Sequence, residues 1–217
     1  MFDIAQNPIH ADAGVPAQSS VDVKRVADVV LASMMLVALA PLFLVAAAAV
    51  ALSSRGPVFF LQERVGLNGK TFRMFKFRSM YTGAEFARRA QGMVSDRDGI
   101  CFKSRNDPRV TTVGRFIRKY SIDELPQLFN VIRGDMSLVG PRPALPREVA
   151  QFPARAHRRH AVLPGITGIW QVSGRANVSF DQMIDMDLSY VASNSILMDL
   201  WILLKTAKVV SSADGAY

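Results

Sequence analysis

Thiol and imidazole side chains are scarce in this sequence, which narrows the kinds of site that it can build. Cys101 is the only cysteine, so an internal disulfide and a metal site of several thiolates are both excluded. Of the three histidines, His157 and His160 lie in the segment ARAHRRH, where they could share one face of a helix. We expect this segment to be a solvated basic surface rather than a metal site.

Acidic residues are also fewer than basic residues. The chain has 26 lysines and arginines against 18 aspartates and glutamates, which gives a formal net charge of +8. Half of its residues are hydrophobic, and its mean hydropathy is +0.17. A basic excess in so hydrophobic a chain favours an anionic partner at a membrane at least as much as a nucleic acid. The 217 residues suffice for one sizeable core.

Charge is missing altogether from the longest apolar run, the 24 residues from Val29 to Leu52, which are long enough to span a bilayer. The polar, aperiodic residues 1–22 are predicted to be a flexible leader. A signal peptide is one interpretation of the run, because Lys24 and Arg25 precede it and the ALA at 38–40 resembles a cleavage site. However, the run continues well beyond that site, which argues against cleavage there.

A proline divides this run into two halves. Pro41 lacks a backbone donor and is expected to break or kink the helix. Each half is then roughly 18 Å long at 1.5 Å per residue, too short for a hydrocarbon core of roughly 30 Å. Basic residues flank both ends, so the positive-inside rule identifies no translocated end, which fits a hairpin with both ends in the cytoplasm. Kinked spanning helices are also common, so these residues alone leave a spanning helix and a re-entrant hairpin open.

The remainder, residues 55–217, is predicted to form one small α+β domain that is mainly helical. Two β-like runs surround a Gly-Leu-Asn-Gly turn within residues 56–80. Residues 107–120 carry apolar side chains near helical spacing with basic ones between them. This pattern predicts an amphipathic helix, suited to anionic lipid headgroups or to packing on a core. Residues 195–210 predict an apolar helix that lies in the core or in the membrane interface.

Two adjacent carboxylates, Asp123 and Glu124, stand in the stretch SIDELPQLFN. Ser121 and Glu124 have the Ser-x-x-Glu spacing of a capping box, in which each side chain binds a backbone N–H at the start of a helix. Pro126 weakens that prediction, because it would fall where the helix needs a donor. A helix that begins at Asp123 instead places Pro126 in the tolerant first turn.

Arginine recurs beside proline and glycine in two loops, residues 133–146 and 163–177. Proline makes such loops rigid, and glycine lets backbone N–H groups approach a ligand. Arg142 and Arg175 in these loops are candidates for phosphate binding, because the guanidinium fork donates two parallel hydrogen bonds.

Three motifs resemble the signatures of the bacterial sugar transferases and stand in that family's order: KFRSM (76–80), DELPQLFNVIRGDMSLVGPRP (123–143) and GITGIWQVSGR (165–175). These are monotopic polyprenyl-phosphate phosphoglycosyl transferases, which begin the assembly of exopolysaccharide and other glycans. The resemblance implies an enzyme that transfers a sugar 1-phosphate from a nucleotide diphosphosugar, expected to be a UDP-hexose, to polyprenyl (undecaprenyl) phosphate. UMP is then the other product.

The resemblance also implies the residues of the site and a cofactor. Asp123 is expected to be the nucleophile that carries the phosphosugar, with Glu124 assisting and both in contact with Mg²⁺. The expected phosphate or nucleotide ligands are Lys76, Arg78, Arg118, Arg142, Gln171 and Arg175.

For the apolar segment, residues 23–54, the resemblance implies a re-entrant helix that breaks at Pro41. The enzyme would then lie in the bacterial inner membrane, in contact with lipid and with its domain on the cytoplasmic face; a homodimer is left open. Two positions depart from the family's pattern. Ala40 replaces a common serine before the proline, and Ser193-Asn194-Ser195 replaces a common Asn-Trp-Ser.

Two other functions compete with this one. Asp185 and Asp187 have the Asp-x-Asp pattern of nucleotide-sugar glycosyltransferases, but their helical surroundings favour a place on a helix surface. A membrane-anchored nucleic-acid binder would explain the basic charge, although the sequence contains no base-stacking platform or recognisable binding module. We therefore expect no nucleic-acid partner.

Overall fold

The computed structural model describes residues 18–84, 107–174 and 178–212. Cys101 and the predicted ligand Arg175 lie outside these ranges. Within them the chain is mainly helical and contains two small two-stranded sheets, which agrees with the predicted α+β class.

The described chain begins with two helices that meet at a sharp bend. Helix α1 is Gln18–Ala38 and helix α2 is Ala40–Ser53, and the pair is bent by 66°. The break falls at Leu39, and Pro41 lies in the first turn of α2, where its missing N–H is not needed. The first helix thus starts earlier than the boundary predicted between residues 22 and 23.

The bent pair is the most apolar part of the described chain. By length and hydropathy, no single helix in the described ranges could cross a bilayer, and this pair meets those criteria only when its two halves are taken together. Val37, Leu44 and Leu52 are 77%, 70% and 88% exposed. Both halves therefore present apolar side chains on the outside, as surfaces that contact lipid or a partner do.

An antiparallel hairpin follows the helix pair and confirms the two predicted β-like runs. Strand β1 is Phe59–Val65 and strand β2 is Thr71–Phe77, with the first residue of β1 opposite the last of β2. The turn between them contains Asn68 in the left-handed conformation, with a φ of 54°, which asparagine adopts more readily than most residues.

Helix α3, Thr112–Lys119, is shorter than the amphipathic helix predicted over residues 107–120. Thr111 caps its start by accepting a hydrogen bond of 2.8 Å from the Gly114 N–H. Gly114 has to be small, because a Cβ there would lie 2.0 Å from the Ser79 carbonyl oxygen. The glycine therefore lets α3 pack directly against the segment that follows β2.

The rest of the chain alternates short strands with helices. The elements, in order, are α4 (Gln127–Arg133), β3 (Ser137–Val139), α5 (Pro146–Val149), β4 (Gly165–Thr167), α6 (Ile169–Ser173), α7 (Phe180–Ser193) and α8 (Ile196–Ser212). Strands β3 and β4 pair in parallel, so each of the two predicted arginine-bearing loops contains one short strand. Helix α8 confirms the apolar helix predicted over residues 195–210.

The hydrophobic core joins the first and the last helix of the described chain. One cluster combines α1, β2, α4, β3, α7 and α8, with Ala32, Val131 and Ile202 completely buried. Another combines Val50 of α2 with Phe77 of β2 and a residue of α3. The bent pair is therefore packed against the domain on one side, while its other side carries exposed apolar residues.

Asn130 joins α4 to the hairpin and is completely buried. Its side-chain amide donates to the Arg73 carbonyl oxygen at 2.8 Å and to the Asp135 carboxylate at 3.1 Å. Its side-chain oxygen accepts a hydrogen bond of 2.9 Å from the Phe75 N–H. These bonds fix the helix that follows the two carboxylates against strand β2.

We expect Asn130→Ala to destabilise the protein by about 2–4 kcal/mol, because each buried backbone group left unpaired costs about 1–3 kcal/mol. The thermal unfolding midpoint of the detergent-solubilised protein measures the change. Asn194→Ala is the control, since it removes a single side-chain hydrogen bond of 3.2 Å, to the Val191 carbonyl, and should shift the midpoint much less. Equal shifts for the two variants would contradict the role assigned to Asn130.

Candidate active site

The two adjacent carboxylates lie in one turn of 3₁₀ helix, Ile122–Glu124, between α3 and α4. Ser121 before it is left-handed, with a φ of 53°, and its side chain makes no cap hydrogen bond, so the predicted capping box is wrong. The alternative start at Asp123 is also wrong, because the α-helix begins at Gln127. Pro126 occupies its N-cap, where no N–H is required.

Glu124 is the point at which three segments of the chain meet. Its Oε1 accepts a hydrogen bond of 2.6 Å from Lys76 Nζ on β2 and lies 3.3 Å from Arg142 Nη1 in the loop after β3. The side chains of Lys76 and Glu124 are only 13% and 18% exposed. Because charges shielded from water attract more strongly than charges on the surface, Glu124 holds both cations in place.

Asp123 has a different environment from its neighbour. It is buried, yet none of the described residues donates a hydrogen bond to its carboxylate, which lies in the electrostatic field of Lys76, Arg118 and Arg142. Arg118 is oriented by a hydrogen bond of 2.8 Å from its Nε to the Ser79 hydroxyl. The Asp123 oxygens therefore stand among cations and remain available to a ligand.

The two carboxylates also titrate differently. Burial raises the pKa of Asp123 to about 6, and the attraction of Lys76 only partly offsets that effect. Burial acts on Glu124 in the same direction, but the charges of Lys76 and Arg142 outweigh it and lower the pKa of Glu124 to about 2. With Arg118 included, the group carries one net positive charge near neutral pH. Such a site suits an anionic ligand.

A buried ion pair fixes the chain behind Arg142. Arg159 Nη2 donates to the Arg142 carbonyl oxygen at 2.8 Å and to the Asp187 carboxylate at 2.5 Å. The side chains of Arg159 and Asp187 are each 2% exposed. Burial raises the pKa of Asp187 to about 6, although the charge of Arg159 opposes the shift.

The segment ARAHRRH is only in part the solvated basic surface that its composition predicts, because Arg155 and Arg158 are exposed while Arg159 is buried. It forms a 3₁₀ helix, Ala154–Ala161, in which Arg159 is buried because it pairs with Asp187. His160 stacks on Phe152, with ring centroids 6.4 Å apart, and burial lowers the pKa of His160 to about 4.

The Asp-x-Asp motif lies on helix α7 rather than at the end of a strand. Asp185 is exposed and pairs with Arg155, as predicted for a helix surface. Asp187 is buried, contrary to that prediction. In the described ranges, no three side chains of histidine, cysteine, aspartate or glutamate cluster as a metal site. This arrangement does not support a glycosyltransferase metal motif at Asp185 and Asp187.

Arg78 occupies a structural position rather than the predicted place beside a phosphate. Its buried guanidinium donates to the Ser54 carbonyl oxygen at 2.6 Å, to the Val50 carbonyl oxygen at 3.2 Å and to the Pro57 carbonyl. These carbonyls belong to the last turn of α2 and the chain after it. Arg78 thus caps the bent helix pair and ties it to β2.

Among the described residues, no hydrogen bond joins Gln171 to the dyad of Asp123 and Glu124. Gln171 donates a hydrogen bond of 3.2 Å to the Ile166 carbonyl, which joins α6 to β4. Arg175 lies outside the described residues.

Lys24 and Arg25, the basic pair before the apolar run, have a structural role that their sequence does not predict. Lys24 Nζ binds the Asp199 carboxylate at 2.5 Å, and the Tyr190 hydroxyl donates to the same carboxylate at 2.7 Å. Arg25 donates a hydrogen bond of 2.6 Å to the Val131 carbonyl near the end of α4. These residues dock α1 on the domain, and no local pattern distinguishes them from ordinary flanking charges.

Comparison with known proteins identifies relatives over most of the chain. The family model described as bacterial sugar transferase matches residues 19–213. The chain is 43% identical over 207 residues to an undecaprenyl-phosphate galactose phosphotransferase of Salmonella typhimurium, covering 92% of this chain and 43% of the relative. It is 41% identical over 199 residues to the exopolysaccharide production protein ExoY of Sinorhizobium fredii, covering 89% of this chain and 88% of the relative.

A third relative is the galactosyl transferase CpsE of Streptococcus agalactiae, 48% identical over 162 residues, covering 74% of this chain and 36% of the relative. The chain thus spans less than half the length of two of these three relatives and most of the length of the other.

We expect Arg159→Met to destabilise the protein by about 3–5 kcal/mol at pH 8, because it leaves the Asp187 carboxylate buried without its partner. The folded-state pKa of Asp187 lies above its ordinary value of 3.8, so the stability it contributes is lost as the pH rises through about 6. The loss should therefore be smaller at pH 5, where the carboxyl can protonate. Thermal unfolding at the two pH values measures the difference.

Arg155→Met serves as the control, since it removes only exposed ion pairs with Asp181 and Asp185. It should change stability little at either pH. A loss in Arg159→Met that is the same at pH 5 and pH 8 would contradict the presence of an uncompensated buried carboxylate.

Proposed function

Because this chain belongs to the bacterial sugar transferase family, we propose that it transfers a sugar 1-phosphate from a nucleotide diphosphosugar to polyprenyl phosphate. The names of its relatives in Salmonella typhimurium and Sinorhizobium fredii support this activity and a place at the start of polysaccharide assembly. The observation that carries the proposal is the dyad, in which Glu124 binds two cations while Asp123 stands unpaired among them.

In the first half of the reaction, a carboxylate oxygen of Asp123 attacks the phosphorus that bears the sugar. A bond forms between that oxygen and phosphorus, the phosphoanhydride bond breaks, and the nucleoside monophosphate leaves, as UMP if the donor is a UDP-hexose. In the second half, a phosphate oxygen of the acceptor attacks the same phosphorus and the bond to Asp123 breaks. This is covalent catalysis by a carboxylate. One phosphoanhydride replaces another, so no separate energy source is needed.

The cations around the dyad are suited to the charge that builds up in this reaction. Phosphoryl transfer depends chiefly on positioning and on electrostatic stabilisation of the phosphoryl oxygens. Lys76, Arg118 and Arg142 supply three positive charges, and Glu124 positions two of them through its ion pairs. Burial raises the pKa of Asp123, and the positive charges of Lys76, Arg118 and Arg142 oppose that shift, so these cations favour the ionised form that attack on phosphorus requires.

The dyad also fits Mg²⁺. This ion prefers oxygen ligands and is usually held by one or two carboxylates together with substrate phosphates and water. Asp123 offers unpaired oxygens, and Glu124 offers the oxygen that does not bind Lys76. When bound, the ion would neutralise charge on the diphosphate and so favour departure of the nucleotide.

We further propose that the bent helix pair enters the membrane and returns without crossing it. Neither half is by itself both long and apolar enough to span, and both carry exposed apolar residues. Both ends of the pair are tied to the same domain, by Lys24 to Asp199 at the start and by Arg78 to Ser54 at the end. The domain would then lie at the cytoplasmic face of the bacterial inner membrane, with access to nucleotide sugars and to the lipid phosphate.

We expect wild-type protein incubated with Mg²⁺ and a UDP-hexose, without acceptor, to gain the mass of a hexose phosphate on Asp123. Asp123→Asn should show no adduct and should lose at least about a thousandfold in turnover, as expected when a nucleophile is removed. Intact-protein and peptide mass spectrometry measure the adduct. Asp181→Asn, whose native side chain is 74% exposed, is the control and should retain both properties.

Two results would count against this assignment. Full turnover by Asp123→Asn would exclude Asp123 as the nucleophile. Release of UDP rather than UMP from a UDP-sugar would instead favour a glycosyltransferase.

We expect chelation of divalent cations by EDTA to abolish turnover and added Mg²⁺ to restore it, because the diphosphate needs charge neutralisation beyond the three side-chain cations. Turnover that persists in metal-free protein would contradict the proposed role of the ion.

A further inference from the structure

An apolar groove lies between α2 and α3, and Ile122, the residue before Asp123, is among the residues that line it. Its volume is about 280 Å³. Its walls include Leu42, Val45 and Ala49 on α2, Val113 and Phe116 on α3, and Ile122 in the turn that follows α3.

The groove includes one residue of the turn that carries Asp123 and Glu124. Ile122, which lines the groove, belongs to the same turn of 3₁₀ helix as Asp123 and directly precedes it. Helix α3 presents Phe116 to the groove and Arg118 to the dyad. A single helix thus provides an apolar wall and, close to it, a guanidinium group that can bind a phosphate.

The walls of the groove are open to the outside although they are apolar. Val45 is 67% exposed and Phe116 is 59% exposed. Contiguous exposed apolar surface of this kind marks a binding surface for an apolar ligand or for a membrane. Here it lies on the inner side of the bent pair, facing α3, rather than on the outer side that Leu44 and Val37 expose.

We infer that this groove binds the phosphate-proximal part of the isoprenoid chain of the acceptor, an inference that rests on the proposed function. Of the two substrates, only polyprenyl phosphate joins an apolar chain to a phosphate, and its phosphate must reach the phosphorus carried by Asp123. A groove lined by Ile122 and by apolar residues of α2 and α3 offers that chain an apolar surface next to the charged site. A sugar nucleotide has no apolar part that would match these walls.

The size of the groove limits how much of the chain it holds. Sites for complete drug-sized ligands measure about 300–1,000 Å³, so this groove accommodates only a short part of a long isoprenoid. The remainder of the chain would continue along the apolar helix pair into lipid. The groove therefore positions the acceptor's phosphate near the dyad and does not select acceptors by the length of their isoprenoid chain.

Two neighbouring alanines of α2 allow a matched test in the full-length protein. Ala49 lines the groove, whereas Ala48 is exposed and lies outside it. We expect Ala49→Leu, which fills the groove, to raise the KM for undecaprenyl phosphate about tenfold or more, as a few misplaced methylene groups do in an apolar site. Ala48→Leu, which adds the same side chain to the outer surface, should leave that KM unchanged.

The donor half of the reaction shows whether Ala49→Leu has damaged the dyad. The hexose phosphate adduct on Asp123 should still form in this variant, because the groove does not bind the donor. An unchanged KM for the acceptor would overturn the inference. So would a loss of adduct in proportion to the loss of turnover, because the substitution would then have acted on the catalytic turn itself.

A second measurement does not depend on turnover. A polyprenyl phosphate analogue with a photoreactive group near its phosphate should label peptides that contain Val45 or Phe116. Excess undecaprenyl phosphate should suppress this labelling, and phosphatidylglycerol vesicles should not. Equal suppression by both would identify a general lipid surface and overturn the inference. Specific labelling in a protein that turns over no nucleotide sugar would preserve the groove and reject the proposed enzymatic function instead.

Discussion

The ion pairs that Glu124 makes with Lys76 and Arg142 are the interaction on which the rest of the site depends. A partly buried carboxylate is costly unless cations accompany it, so the fold has to bring β2 and the loop after β3 to the turn that follows α3. Asn130 holds the next helix against β2, and Arg159 holds the backbone of the loop at Arg142. With its neighbour Glu124 satisfied in this way, Asp123 is left buried and unpaired beside the cations, which is the arrangement that a nucleophile toward phosphorus needs.

The bent helix pair is packed into the core of the domain and is not a separately attached anchor. Ala32 and Val50 are completely buried in clusters that also contain residues of the hairpin and the later helices. Arg78, one residue after β2, caps the end of α2. The helix pair and the dyad therefore cannot move independently. If the outer side of the pair enters a membrane, the dyad lies at a fixed distance from that membrane.

Local sequence predicts the features that depend only on the backbone conformation of neighbouring residues. The hairpin follows from its glycine-rich turn, and the helix break follows from Pro41. Other features depend on partners far away in the chain. Arg159 is buried only because Asp187 on α7 meets it, and nothing in ARAHRRH indicates this. Arg78 stands in a motif that suggests phosphate binding, yet it binds the end of α2. The capping box at Ser121 has the correct spacing, but that serine is in the left-handed region and its side chain makes no cap hydrogen bond.

Isotope exchange tests the central claim, that Asp123 carries the phosphosugar, most directly. The protein would be incubated with Mg²⁺, unlabelled UDP-hexose and radiolabelled UMP in the complete absence of polyprenyl phosphate. A covalent intermediate on Asp123 predicts that label passes from UMP into the UDP-hexose, because the first half of the reaction is reversible by itself. If exchange occurs only after the acceptor is added, transfer proceeds directly between the two substrates, and the role of Asp123 as a covalent carrier of the phosphosugar is contradicted.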